Sequence, residues 1–323
     1  MKAFNAVLRM VTVGVLMAIA GSVGAQQAYP NKPIRFIVPY PPGGSATPLV
    51  RFVAQKLTDS WGQTVITDNR GGGNTIIASE LLVKSPPDGY TILLAGPTHV
   101  VNPSLITTSY DAFRDFAPIA TLVSSQIILV INPSVPVNNL QELIALAKSR
   151  PGQLNYASAS SGGINHLAGE LFNMMTGVKT LHIPYKGGAQ AVTDLIGGQV
   201  QLYFSTAFVL PQVKSGRIKA IAVSGTKRMS ALPQVPTFAE AGLPSFSANS
   251  WYGVLAPAGT PKQIIDKLAA EFARIQAMSD TKEFLDKQGV EPFISGPEQF
   301  AALMKEEMLK WRKVIKAAHI KID

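Results

Sequence analysis

The 323-residue sequence contains no cysteine. Disulfides, thiolate nucleophiles and cysteine-ligated zinc or iron–sulfur centres are therefore excluded. Its four histidines, His99, His166, His182 and His319, follow no metal-ligand spacing, and no His-Glu-x-x-His helix is present. There is no Gly-x-Ser-x-Gly nucleophile elbow, no phosphate loop ending in Gly-Lys-Ser/Thr, and no Gly-x-Gly-x-x-Gly dinucleotide fingerprint. Hydrolase and nucleotide chemistry lose their usual signatures, and no cofactor or metal is expected. Charged residues make up only 15% of the chain, and no window gathers Lys and Arg with interleaved aromatics. A nucleic-acid surface is thereby argued against. Finally, no apolar run reaches the roughly 20 residues that a membrane-spanning helix needs.

The one long apolar run present is Met10–Ala20, preceded by Lys2 and Arg9 and followed by the small residues Val23-Gly24-Ala25. Basic start, apolar core and small-residue end are the three parts of a secretory signal peptide. Cleavage is expected after Ala25, releasing the chain into the periplasm, and the absence of cysteine excludes a lipoprotein anchor. The formal charge of +9 falls to +7 with the loss of Lys2 and Arg9. The mild basicity that remains suits anionic ligands only weakly, since solvated surface lysines produce it equally well.

The remaining 298 residues exceed one ordinary core and suit two domains. Short β-rich runs alternate with helical spacing, the rhythm of an α/β protein with largely parallel sheets. Strands are predicted at Ile34–Val38, Thr64–Thr67, Tyr90–Ala95, His182–Tyr185, Val200–Phe204 and Ile218–Val223. Helices are predicted at Pro48–Asp59, Ile76–Lys84, Leu140–Arg150 and Ala191–Ile196, with two more starting at Pro261 and Pro297. Ile119–Ile131 reads as one strand passing from the first lobe to the second, and Trp251–Ala256 as the return passage. The expected division is a leader over 1–25, a first lobe over 26–126 and 250–323, and a second lobe over 127–249.

Two segments have the composition of ligand loops. Val38-Pro39-Tyr40-Pro41-Pro42-Gly43-Gly44-Ser45-Ala46-Thr47 lies between a strand's carboxyl end and a helix, the edge at which open α/β sheets bind ligands. Gly43 and Gly44 allow close backbone approach, Thr47 is placed to cap the helix, and Pro48 suits its first position. An ordinary β–α turn is the competing reading. The second segment, Tyr156 to Leu167, repeats the arrangement in the other half of the chain. The hydroxyls of Ser158, Ser160 and Ser161, with amides near Gly162 and Gly163, would form a cradle of neutral donors for a carboxylate. His166 beside Ser160 and Ser161 imitates a nucleophile–base pair, but no third orienting group is evident.

Together these segments resemble the extracytoplasmic receptors of the tripartite tricarboxylate transporters, also called Bug receptors. The resemblance runs from Tyr29 to the C-terminus. It is carried by Tyr29-Pro30-Asn31-Lys32-Pro33-Ile34, Val38-Pro39-Tyr40-Pro41-Pro42-Gly43-Gly44, Asp68-Asn69-Arg70, Pro87-Asp88-Gly89-Tyr90, His166-Leu167-Ala168-Gly169-Glu170, Pro184-Tyr185-Lys186-Gly187 and Ala256-Pro257-Ala258-Gly259-Thr260-Pro261. It implies a type II periplasmic binding fold, two α/β lobes joined by two crossing strands around a ligand cleft. It also implies a di- or tricarboxylate or aromatic acid as ligand, delivery to the membrane subunits of a transporter, and no catalysis. The ligand shell so implied draws on Tyr40, Pro42, Gly43, Gly44, Ser45 and Thr47 from the first loop, with Asn74 and Thr98 from its lobe. From the second lobe come Ser158, Ser160, Ser161, Gly163, Asn165 and His166, with Tyr185 and Ser205. By the same analogy the receptor is a monomer.

The sequence departs from the family pattern at Thr47, Gln201 and Ser205, where Asp is common. A cleft without those carboxylates lacks a counter-charge for an ammonium group, so an acid without an amine is expected as ligand. Presentation of the liganded form to a sensor kinase is the alternative role, and a Ser160–His166 hydrolase the remaining one.

Overall fold

The computed structural model describes residues 29–42, 44 and 46–322. The expected leader, Gly43 and Ser45 lie outside the described residues. Strands β1 (Ile34–Val38), β2 (Val65–Asn69), β3 (Thr91–Ala95), β4 (Phe116–Ser125), β10 (Ser250–Pro257) and β11 (Glu291–Ser295) form one sheet in the order β11-β4-β10-β3-β1-β2. A second sheet, ordered β7-β6-β8-β5-β9, contains β5 (Ile128–Ile131), β6 (Asn155–Ser158), β7 (Leu181–Pro184), β8 (Leu202–Ser205) and β9 (Lys219–Val223). β1 pairs in parallel with β2 and β3, and β6 in parallel with β7 and β8, while β10 and β5 join antiparallel.

The two-residue period of a strand explains how each sheet is covered. In β1, Ile34, Phe36 and Val38 face Leu49, Val53 and Leu57 of helix α1 (Ala46–Trp61), together with Leu268 and Phe272 of a later helix, Lys262–Gln276. Ile37 points the other way, into a core with Ala78 and Leu82 of α2 (Ile76–Val83). With both faces covered, strands read as continuous apolar runs, as in the fully buried Ile-Leu-Val-Ile of β5. Between the sheets' strands run α3 (Pro97–Val101), α4 (Leu140–Ser149), α5 (Ile164–Thr176), α6 (Gly188–Ile196) and α7 (Leu210–Lys214). After β10 come α8 (Lys262–Gln276), α9 (Ser279–Gln288) and, beyond β11, α10 (Pro297–Ala317). Among the described residues no helix is long and apolar enough to cross a membrane.

Both crossings differ from expectation. The predicted strand 119–131 is two strands, β4 and β5, in different sheets, divided at Gln126-Ile127. The run Trp251–Ala256 does not cross at all, because β10 pairs along its length with β3 and β4. It is apolar because it is central in its sheet. The return passage lies just upstream, and Ser224 ties it to the outward one. The Ser224 hydroxyl accepts from the Ile127 amide at 2.8 Å and donates to Asn249 Oδ1 at 2.7 Å, while the Ser224 amide donates to Ile127 O at 2.9 Å.

One helix joins the lobes by packing. α10 packs against α3 and β4 and also against α5. Its Trp311, Val314 and Ile315 share a core with Leu93 of the first sheet and with Leu129 and Phe204 of the second.

Candidate functional site

The parallel strands put the expected loops on one edge of each sheet. In the first sheet Tyr40 follows β1, Asn69 closes β2 and Thr98 follows β3. The Asn69 side chain donates to Tyr40 O and to Thr47 Oγ1, both at 2.9 Å, fixing the first loop at both ends. Thr47 is accordingly not the helix cap. α1 already includes Ala46, and the Thr47 hydroxyl is buried in this bond. Pro42 and Gly44 are exposed, and a Cβ on Gly44 would meet nothing. Gly71 packs so tightly on the loop that its Cβ would lie 2.8 Å from Pro41 Cδ.

Tyr40 stands edge-on to Tyr252, with ring centroids 6.1 Å apart. Burial, and then Tyr252, push its phenol well above the ordinary tyrosine range, against a hydrogen bond with Thr98 that acts the other way. Tyr252 thus belongs with Tyr40 and Thr98, although its sequence context suggested only a strand. Asn74 is turned away. Its Nδ2 donates to Asn102 Oδ1 at 2.8 Å and its carbonyl accepts from Asn102 Nδ2 at 2.7 Å. This reciprocal pair holds the left-handed residues Asn74 and Thr75 in place.

In the second sheet Ser158 closes β6 and the loop after it runs to Gly163, Tyr185 follows β7, and Ser205 closes β8. Several expected ligand residues prove to be internal. Ser158 is fully buried; its hydroxyl donates to Ser160 O at 2.9 Å and meets His182 Nε2 at 2.6 Å. The Asn165 side-chain amide donates to Phe204 O at 2.5 Å and Ser205 is buried beside the Tyr203 hydroxyl, whereas Tyr185 is half-buried, with its hydroxyl donating to Asp194 Oδ2 at 2.8 Å. The expected cradle of Gly162 and Gly163 amides is also corrected. The Gly162 amide donates inward to His166 Nδ1 at 2.9 Å, and the Gly163 amide approaches Ser160 O at 3.4 Å.

His166 therefore does not serve Ser160 as a base, and its ring lies within the lobe. It stacks on His182 with centroids 3.6 Å apart and planes 7° apart. Burial, with His182 adding, pushes His166 down to about 3, and burial pushes His182 down to about 4. Both rings are neutral at physiological pH. His182 was missed in the sequence because it reads as an ordinary strand residue. Gln201 is also misplaced by the sequence reading. Its side chain bonds Asn155 N and Gly198 O at the opposite end of β8 from Ser205.

What remains without an internal partner is a smaller set. Ser160 and Ser161 are half-buried, and neither hydroxyl has a hydrogen-bond partner among the described residues. They precede Gly163, which opens α5 in extended conformation. The first-turn amides of that helix carry the positive end of its dipole. The two edges meet here. A Cβ on Gly162 would lie 2.5 Å from Leu105 Cδ1, just beyond α3 of the first lobe, and 2.6 Å from Ile322 Cδ1.

Tyr156 lies beside both histidine rings; its hydroxyl donates to Glu170 Oε1 at 2.5 Å and its ring lies against Gly169. A Cβ at Gly169 would sit 2.2 Å from Tyr156 Cε2. Gly169→Ala gains about 1 kcal/mol of helix propensity but overpacks a fully buried ring at a cost of about 1–3 kcal/mol. A net loss of about 1 kcal/mol is expected in urea denaturation, and a more stable variant would show that Tyr156 can withdraw freely.

A family model described as tripartite tricarboxylate transporter family receptor matches residues 49–320. The chain belongs to this receptor family. BugT of Bordetella pertussis is 35% identical over 97% of this chain and 98% of its own length. Among solved structures, Rpa4515 of R. palustris with adipate is 34% identical, with a TM-score of 0.83 over 91% of this chain and 99% of that one. MatC of Rhodopseudomonas palustris with bound malate is 28% identical, with a TM-score of 0.78 over 89% and 100%. The fold of this receptor is the two-lobed α/β fold of periplasmic binding proteins, and its family is one of solute-binding receptors.

Proposed function

We propose that this receptor is secreted to the periplasm, with its leader cleaved after Ala25, and captures a small carboxylate lacking an amine. It then delivers that acid, unaltered, to the membrane subunits of a tripartite transporter. The observation that carries the reading is the pair of unpartnered hydroxyls, Ser160 and Ser161, at the start of α5 where the two lobes meet. Neutral donors and a helix start hold an anion without a paired cation. That relatives of the same fold hold adipate and malate supports the class of ligand. Turnover is disfavoured by the inward-facing His166, which leaves Ser160 without a base. The expectation of an acid without an amine rests on Thr47 and Ser205, which are buried behind the two loops and bring no carboxylate there to neutralise an ammonium group.

Calorimetry with adipate, malate, succinate and glutarate tests the reading against aspartate and glutamate. The diacids are expected to bind more tightly than their aminated counterparts. Removing both hydroxyls, as Ser160→Ala with Ser161→Ala, is expected to weaken the best ligand roughly 10- to 100-fold, the worth of one or two hydrogen bonds to a charged group. Tighter binding of glutamate than glutarate, or an indifferent double variant, overturns it.

A further inference from the structure

We propose that His166 and His182 are positioning residues for the ligand: the stacked pair braces the Ser158–Gly163 loop from behind and decides which of its donors face outward. The inference rests on the carboxylate reading above and adds two side chains that lie behind the loop. Each ring holds one end of it. His182 Nε2 meets Ser158 Oγ at 2.6 Å, and His166 Nδ1 accepts from the Gly162 amide at 2.9 Å. The rings lie face to face at 3.6 Å, so neither turns without the other.

The partners assign the protons. With the single hydrogen of the Ser158 hydroxyl directed to Ser160 O, His182 donates to the hydroxyl oxygen from Nε2. His166 Nδ1 accepts, so its proton sits on Nε2. Gly162 is in the left-handed region at φ 71°, where glycine's peptide orientation is soft. Without the acceptor at Nδ1, its buried amide would be left unpaired and the peptide would turn to find another partner. Ser160 and Ser161, next along the loop, would turn with it.

Two substitutions separate this role from simple packing. His166→Phe keeps a ring in the stack and removes the acceptor. His166→Asn gives up the stack and places an acceptor near the position of Nδ1. With adipate and malate as probes, His166→Phe is expected to bind roughly tenfold more weakly while its Tm stays within about 3 °C of the parent. His166→Asn is expected to recover binding to within about threefold despite a lower Tm. If His166→Phe does not fold, the mirror pair applies: His182→Phe loses binding and His182→Gln, which restores a donor near Nε2, recovers it. A Phe variant that binds like the parent, or a rescue variant as weak as the Phe variant, overturns the proposal. Should the parent bind neither probe, the carboxylate reading fails for these acids, and exchange of the Gly162 amide decides. That amide is expected to exchange roughly tenfold faster in His166→Phe but not in His166→Asn; equal protection in all three proteins overturns the positioning role.

Discussion

Replacing Trp311 by alanine is expected to destabilise the protein by about 3–5 kcal/mol, the range for emptying a buried aromatic site. The ring is fully buried in α10, and its Nε1 donates to Glu307 Oε2 at 2.7 Å. Glu307 is itself buried and pairs with Lys310, whose ammonium lies 4.5 Å from the Trp311 ring centroid. Truncation leaves a cavity and also strips one carboxylate oxygen of its donor. Neighbouring side chains cannot easily fill the space, because they are anchored in two different sheets. Urea denaturation followed by fluorescence measures the loss. Glu307→Gln, which keeps the ring in place, provides the comparison and is expected to cost about 1–2 kcal/mol. A loss below about 1 kcal/mol for Trp311→Ala would show that α10 is not a shared buttress.

Acid is expected to act through histidine before it acts through carboxylate. Burial pushes His99 down to about 4 from an ordinary 6.5, against a bond to Ala112 O that acts the other way. His166 falls to about 3 and His182 to about 4. Below pH 6.5 the unfolded chain takes up protons that the folded chain refuses, so stability falls as pH falls and the loss levels off below the folded values. For His99 alone this amounts to about 2 kcal/mol by pH 5. His166 adds to it, and His182 adds less because solvent reaches part of its ring. The carboxylates enter later. Burial tends to raise Asp68, yet its bonds to Arg35 and Arg70 hold it below the usual range, and Asp111 is held down by the amides of Arg114 and Phe113. Unfolding curves at pH 7.5 and 5.0 check this, with His99→Gln flattening the dependence. A protein equally stable at both values would mean that these rings are protonated in the folded state.

The strands and helices were legible where apolar runs had clear ends. Ile34–Val38 is bounded by Pro33 and Pro39, and the structure begins and ends β1 there. The first crossing was harder, because β4 and β5 are both apolar and only Ser124-Ser125-Gln126 marks the break. The edge strand β11 and the helix α9 were not read at all, since an exposed strand and a polar helix bury too little to leave a periodic signal. The loops after β1 and β6 were visible from Gly and Ser between strand and helix. The roles of their side chains were not. Asn165 bonds a carbonyl 39 residues away and Ser158 a ring 24 residues away, so inward and outward polar residues look alike in one dimension. The His166–His182 stack is a product of the β6–β7 pairing, in which Tyr156 lies opposite His182.

The order of strands in the larger sheet has a consequence for how the molecule is assembled as it emerges. β10 sits between β3 and β4, yet it is encoded after every strand of the smaller sheet. A chain growing from its N-terminus therefore holds all the pieces of the smaller sheet by residue 223, while the larger one still has a gap at its centre. The half made from the beginning of the gene is the half that must wait for its end.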